Sequence, residues 1–324
     1  MRRIWKFVCV LATVVVAAQL GCRSAPSPEA QPPAAWDVDR AQVLRWRSDH
    51  PSFEQQYALE ASGLAISEGS LFVSSEKYGR LLLIEISNDF AVATVRLAVP
   101  QHAELEGVAR TADGVLLCDE AHAAVYEVSI DREEGSPESS AGTPLPVRRF
   151  SLEGVDVEGG KIGFEGIEID PDGRTVYLLL ERGGTAATGC VSRIWSLQRR
   201  DQALRSRGEP IEVELEDCTW RLTGLAWWEE RLIALKTQFP GERYEIVTVD
   251  LESGATEVVA DLTELLRSLA GEGWSNNVEG IAVGSDGSLW LVADNAVTGV
   301  IDDPLPGPAE AGTLLLRVPP IEGE

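Results

Sequence analysis

The chain has 324 residues, 52 of them acidic and 28 basic, for a net charge of −24. That balance excludes nucleic acid as the main partner, because phosphate backbones are held by basic surfaces. Three histidines, His50, His102 and His122, are too few for a histidine-rich zinc centre.

The amino terminus reads as an export signal. Arg2, Arg3 and Lys6 precede an apolar run from Phe7 to Ala18 that is short for a membrane span. Gln19-Leu20-Gly21-Cys22 resembles a bacterial lipobox, although Leu20 stands two places before the cysteine rather than three. Residues 1–21 are therefore expected to be a lipoprotein signal peptide and Cys22 the lipidated residue, with ordinary signal cleavage as the alternative. Residues 22–40, rich in Pro and Ala, are expected to form an extended tether. The expected location is the cell envelope, with Arg23 after the cysteine favouring the outer membrane. Export permits disulfides. Cys190 and Cys218 flank one repeat and are the candidate pair, while Cys118 sits in an apolar run and reads as a buried thiol.

Residues 41–319 read as one repetitive domain. Gly63-Leu64-Ala65-Ile66, Gly107-Val108-Ala109, Gly166-Ile167, Gly224-Leu225-Ala226 and Gly280-Ile281-Ala282 each start a segment with a turn, a second apolar run and further strand-like stretches. Turns are expected at Glu68-Gly69, Asp113-Gly114, Asp172-Gly173, Glu229-Glu230 and Asp286-Gly287. Asp131 to Pro146 reads as a polar surface loop. A short helix is expected after Asp261, ending at Gly271. The fifth repeat has only three strands, and Gln42 to Trp46 is the spare strand that can complete it. The predicted fold is all-β: a β-propeller of five four-stranded blades, closed by strands from both termini, with six blades as the alternative.

In such a fold the start of each first strand and the end of each second strand share one face. The starts carry Ser62, Glu106, Glu165, Thr223 and Glu279; the ends carry Glu76, Asp119-Glu120, Glu181-Arg182, Lys236-Thr237 and Asp294-Asn295. Converging carboxylates must be protonated, paired with a base or neutralised by a cation. Arg182, Lys77 and Lys236 are the candidate bases. A hard cation with oxygen ligands, Ca²⁺ first, is the other answer, with Glu106, Glu120, Glu165, Glu279 and Asp294 as its ligands and Asn276, Asn277 or Asn295 assisting. A purely structural alternative is that each Glu before Gly bonds the backbone of the neighbouring blade.

The run Phe164-Glu165-Gly166-Ile167-Glu168-Ile169-Asp170-Pro171-Asp172-Gly173 through Leu180-Glu181 resembles the central motif of the phytase-like β-propellers described as having "esterase-like activity of phytase". Val278-Glu279-Gly280-Ile281-Ala282 running into Ala293-Asp294-Asn295 resembles it too, and SdiA-regulated propellers share the pattern. The likeness spans about residues 57 to 318; Thr223 and Lys236 depart from it. It implies an envelope propeller hydrolysing a phosphate or carboxyl ester with calcium at the axial mouth. Glu165, Glu181, Arg182 and His122 are the candidate catalytic groups. No Gly-x-Ser-x-Gly elbow is present, which disfavours a serine esterase of the α/β-hydrolase type. The alternative is a non-catalytic propeller binding a small ligand or a protein. A monomer is expected. Trp227-Trp228 and Trp274 suit either a binding face or packing between blades.

Overall fold

The computed structural model describes residues 35–44, 60–67, 69–77, 79–86, 91–130, 143–156, 163–185, 189–295 and 313–321. All lie in the compact unit Pro32–Glu324. The signal peptide, Cys22 and residues 131–142 of the polar insertion fall outside the described residues.

Residues 35–40, the last part of the expected tether 22–40, pack on the domain. Trp36 is buried, donates its ring N–H to the Gly287 carbonyl at 2.9 Å and packs on Trp228. Ala35 and Asp37 bond to the backbone of Val259 and Pro319. A tryptophan is too large an apolar group to leave in a solvated linker when a core lies beside it.

Strand β1 (Gln42–Leu44) precedes an antiparallel set of β2 (Ala61–Ser67), β3 (Ser70–Ser75), β4 (Arg80–Glu85) and β5 (Ala91–Arg96). A second run holds β6 (Leu105–Arg110), β7 (Gly114–Asp119), β8 (Ala124–Ser129) and β9 (Arg148–Glu153). The third holds β10 (Phe164–Ile169), β11 (Thr175–Thr185), β12 (Gly189–Arg200), β13 (Ala203–Ser206) and β14 (Ile211–Glu214). The fourth holds β15 (Trp220–Trp228), β16 (Arg231–Gln238), β17 (Arg243–Val249) and β18 (Thr256–Asp261), followed by helix α1 (Thr263–Gly271). The last holds β19 (Asn277–Val283), β20 (Leu289–Asp294) and β21 (Leu315–Val318).

These strands make three four-stranded sheets and one of nine strands. The nine-stranded sheet arises because β13, a hairpin arm on the long β12, pairs in parallel with β9 and joins the second and third runs. The expected fourth strand of the third run, β14, also pairs with β12. Strand β1 pairs antiparallel with β21, so the last sheet is completed from the amino-terminal side.

The first strands β2, β6, β10, β15 and β19 contact one another in a closed cycle, β19 returning to β2. Apolar clusters fill the space between each pair of neighbours in that cycle. Strands near the centre are sandwiched and buried along their length, as β3 and β7 show, whereas the outer β9 and β18 are largely exposed. The repeated glycines are explained by backbone approach at the centre. A Cβ on Gly63 would lie 2.3 Å from the Glu106 carbonyl oxygen, and one on Gly107 2.6 Å from the Ile167 nitrogen. On Gly280 it would lie 2.2 Å from the Ser62 carbonyl oxygen, which closes the cycle.

Helix α1 begins two residues after Asp261, whose carboxylate takes the Thr263 amide at 2.9 Å; Leu262 occupies the N-cap. Leu266 and Leu269 face the core beside Leu262. At the β15–β16 turn Glu229 and Glu230 adopt φ of 47° and 64°, the left-handed pair that a two-residue hairpin needs.

Candidate functional site

Every first strand carries a β-bulge at the same place. The register slips between Ala61 and Leu64, Leu105 and Val108, Phe164 and Gly166, Leu222 and Gly224, and Val278 and Gly280. Each slip takes in the residue before the repeated glycine: Ser62, Glu106, Glu165, Thr223 or Glu279. A bulge releases a residue from the ladder and re-aims its side chain. The five positions thus form one ring at one end of the central cycle.

Burial pushes the Glu106 and Glu165 carboxyls well above the usual range; the charges of Glu165, Glu76 and Glu279 add to the rise at Glu106, and those of Glu181, Glu279 and Glu120 to the rise at Glu165. Glu279 is raised to about 8, by burial first and then by Asp294. Ser62 donates its hydroxyl to Glu106 at 2.5 Å. Asn277 donates to Glu279 at 3.1 Å and to Asp294 at 3.3 Å. Glu165 alone of the three has no hydrogen-bond partner among the described residues. Thr223, at the fifth ring position, is buried and its hydroxyl is unpartnered among the described residues.

Arg221, which the sequence reading missed, is the cation at this mouth. It donates to Glu181 at 2.6 Å and Thr237 at 3.1 Å, and lies 3.5 Å from Glu279. Its signal in the sequence is its spacing: Arg221 stands two residues before Thr223, as Asn277 stands before Glu279 and Glu104 before Glu106. Those positions make a second tier above the bulges. Glu60, two residues before Ser62, belongs to it and pairs with Lys77 at 2.9 Å. Gly163 is the tier's member in the third run, where a Cβ would lie 2.6 Å from the Glu120 Cα.

The other candidates distribute as follows. Glu181 is at the mouth, bonded to Arg221. Glu120 accepts the Gly163 amide at 3.3 Å, and its charge helps raise Glu165. Asp294 is buried beside Asn277. Arg182 does not answer the ring: it donates to the Cys218 carbonyl at 3.0 Å and reaches Glu181 only at 3.7 Å. Lys236 also departs from expectation, pairing with Glu216 at 2.5 Å and Glu245 at 3.5 Å. It lies across from Leu222, on the face opposite Arg221. His122 is held by Asp119 at 2.9 Å, and Asp119 also accepts the Tyr126 hydroxyl at 3.0 Å. Cys190 and Cys218 are joined in a disulfide, Cα atoms 5.2 Å apart, and Cys118 is a buried free thiol. Trp274 packs against the apolar core, and Trp227 and Trp228 line the opposite end of the molecule.

The carboxylates do not make a ready cage for calcium. Among the described residues no three His, Cys, Asp or Glu side chains are grouped to hold a metal ion. Glu106, Glu279 and Asp294 already accept hydrogen bonds from Ser62 and Asn277, and Arg221 supplies the positive charge.

Among curated protein sequences none matches this chain. Solved structures that resemble it include Myxococcus xanthus glutaminyl cyclase, at 16% identity over 87% of this chain and 97% of that one, with a TM-score of 0.48. A streptogramin B lyase matches at 9% identity over 86% and 97%, TM-score 0.42. Virginiamycin B lyase from Staphylococcus aureus matches at 14% over 79% and 68%, TM-score 0.38. These are β-propeller proteins, too distant to speak for activity. The family model for "Phytase-like: Esterase-like activity of phytase" matches residues 27–296, and this chain belongs to that family.

Proposed function

We propose that the protein is an exported, lipid-anchored five-bladed propeller that hydrolyses a small uncharged carboxyl ester at its axial mouth. The carrying observation is Glu165: a buried carboxyl held toward its neutral form, at one of the five bulge positions, with no hydrogen-bond partner among the described residues. A carboxyl raised toward neutral pH is matched to proton transfer. In this reading ionised Glu165 takes a proton from water as the water oxygen bonds to the ester carbonyl carbon. The carbon–oxygen bond to the alcohol then breaks, and the same proton passes to the leaving oxygen. In the same reading Arg221, already oriented by Glu181, donates to the developing negative charge. No step passes through a metal. The five blades are the runs that begin at β2, β6, β10, β15 and β19.

The charge of the mouth argues for a carboxyl rather than a phosphate ester. Lys77 is taken by Glu60 and Glu76, and Arg221 by Glu181 and Glu279, so an anionic substrate would meet a net negative rim. The anchoring part rests on Cys22 and the apolar run before it.

The test is turnover of p-nitrophenyl acetate against p-nitrophenyl phosphate by the full chain. Glu165→Gln should lower acetate turnover by about 10²–10⁴-fold with folding intact. Preference for the phosphate, or undiminished turnover by Glu165→Gln, would refute the reading. A second reading, a non-catalytic ligand-binding propeller, is favoured by the ready-made bonds on Glu106, Glu181 and Glu279. It is the outcome if neither ester is turned over.

A further inference from the structure

We propose a second ligand site, for a small organic cation, at the end of the axis opposite the carboxylate mouth, where Glu168 and Trp227 line a cavity of about 640 Å³. The walls come from the far ends of the first strands: Ile66 on β2, Arg110 on β6, Trp227 on β15 and Val283 on β19. Glu168 lies three residues beyond Glu165 on β10, roughly 10 Å along the strand. None of the mouth's carboxylates influences it. This site therefore stands independently of the esterase reading.

Glu168 is a half-buried carboxyl that no cation answers among the described residues. Burial raises it to about 8, opposed only by the Ile169 amide at 2.7 Å. The other charged groups of the cavity are spent elsewhere. Arg110 donates to the Gly114 and Ala112 carbonyls, and Arg199 to Glu127. Asp170 and Asp172 accept the amides of their own turn, from Arg174 and Thr175.

Two further groups lack partners among the described residues. The Thr111 hydroxyl is 8% exposed and unbonded, and the Trp227 ring N–H is unbonded. Both residues line the same cavity. A buried polar group without a partner is costly, and a ligand's polar atoms would offset that cost. Ile66, Trp227 and Val283 also line a neighbouring cavity of about 1040 Å³. An ammonium or guanidinium head fits Glu168 and Thr111: it neutralises the carboxylate and donates to the hydroxyl oxygen, and indole faces attract cations. The net charge of −24 draws cations to the surface.

Pairing with a cation requires Glu168 to ionise, so binding at pH 7 must release a proton. The experiment is calorimetric titration of the full chain with benzylammonium, in phosphate and in Tris buffer, with benzyl alcohol and benzoate as controls of the same size. Expected is saturable binding at least tenfold tighter than either control, with close to one proton released. Glu168→Gln should lose both the tenfold preference and the proton release, and Glu165→Gln neither. Trp227→Ala, which removes the ring face, should weaken binding. Equal affinity for benzyl alcohol, no proton release, no saturation up to ~20 mM, or loss in Glu165→Gln instead of Glu168→Gln would overturn the proposal. If Glu168→Gln does not fold, the proton count on the unaltered chain decides.

Discussion

Arg221 donates to Glu181 at 2.6 Å across the seam between two neighbouring sheets, and the same guanidinium lies 3.5 Å from Glu279 on a third. One half-buried side chain thus ties β11, β15 and β19 together at the mouth. Replacing it by Met keeps the apolar stem and removes the charge, leaving Glu279 without its cation and Glu181 with only Arg182 at 3.7 Å. Breaking a buried ion pair from one side costs about 3–5 kcal/mol. Arg221→Met should therefore lower the urea midpoint strongly. The loss should be larger at pH 8 than at pH 5, because protonation of Glu279 relieves it. An equal loss at both values would mean that packing, not charge, is what Arg221 supplies.

Stability of the unaltered chain should fall as the pH rises from 5 to 8. Glu106, Glu165 and Glu279 are raised in the folded state, Glu279 to about 8, and Glu60, Glu104 and Glu120 move the same way. In the unfolded chain they ionise near pH 4.5. Between those limits the folded protein holds more protons, so raising the pH favours unfolding. Each such group contributes about 1.4 kcal/mol per pH unit at most. Asp170 and Asp286 are shifted down and act only below that window. Thermal melts from pH 5 to 8 should show a falling midpoint, and Glu279→Gln should flatten the slope. A midpoint that rises across the window would show that the ring is fully ionised.

How far this mouth could be read from the chain depended on which physical rule set each residue. The glycines at 63, 107, 166, 224 and 280 were legible, because crowding of the central backbones leaves its mark at one position per repeat. The glutamates before them were legible for the same reason. Arg221 was not, since it precedes the glycine by three residues and the bulge between them breaks simple alternation. Lys236 misled because strand ends were aligned by counting, and a one-residue difference puts a side chain on the other face. Cys190 and Cys218 could be paired only as a guess, since the closeness of their Cα atoms follows from the β11–β12 extension, which spacing does not reveal.

The central glycines should be the least replaceable residues in the chain. In Gly107→Ala the new methyl would lie 2.6 Å from the Ile167 nitrogen and 2.9 Å from Gly166 atoms, all of them backbone. Backbone in a closed cycle cannot step aside without moving the neighbouring sheet. Overpacking of this kind costs typically 1–3 kcal/mol, occasionally more, and this case belongs at the top of that range. Gly271→Ala is the matched control: it closes α1, meets nothing within 4 Å, and gains helix propensity of up to about 1 kcal/mol. Melting curves of the two variants should move in opposite directions. A harmless Gly107→Ala would mean that the axial strands are not packed as described.

Calcium offers the sharpest check on how the mouth's charge is balanced. Were a hard cation the neutralising agent, it would bind the folded state alone, and saturation at a hundredfold above its dissociation constant would add about 2.7 kcal/mol. In a domain of this size that corresponds to a melting shift of roughly 5 °C. Here Arg221, Ser62 and Asn277 already satisfy Glu181, Glu279, Glu106 and Asp294, and no three-carboxyl group is assembled among the described residues. Melts in excess EDTA and in millimolar calcium should therefore coincide to within about 2 °C. A stabilisation of 5 °C or more that disappears in Glu279→Gln would place a cation at the bulge ring and remove Arg221 from the centre of the account.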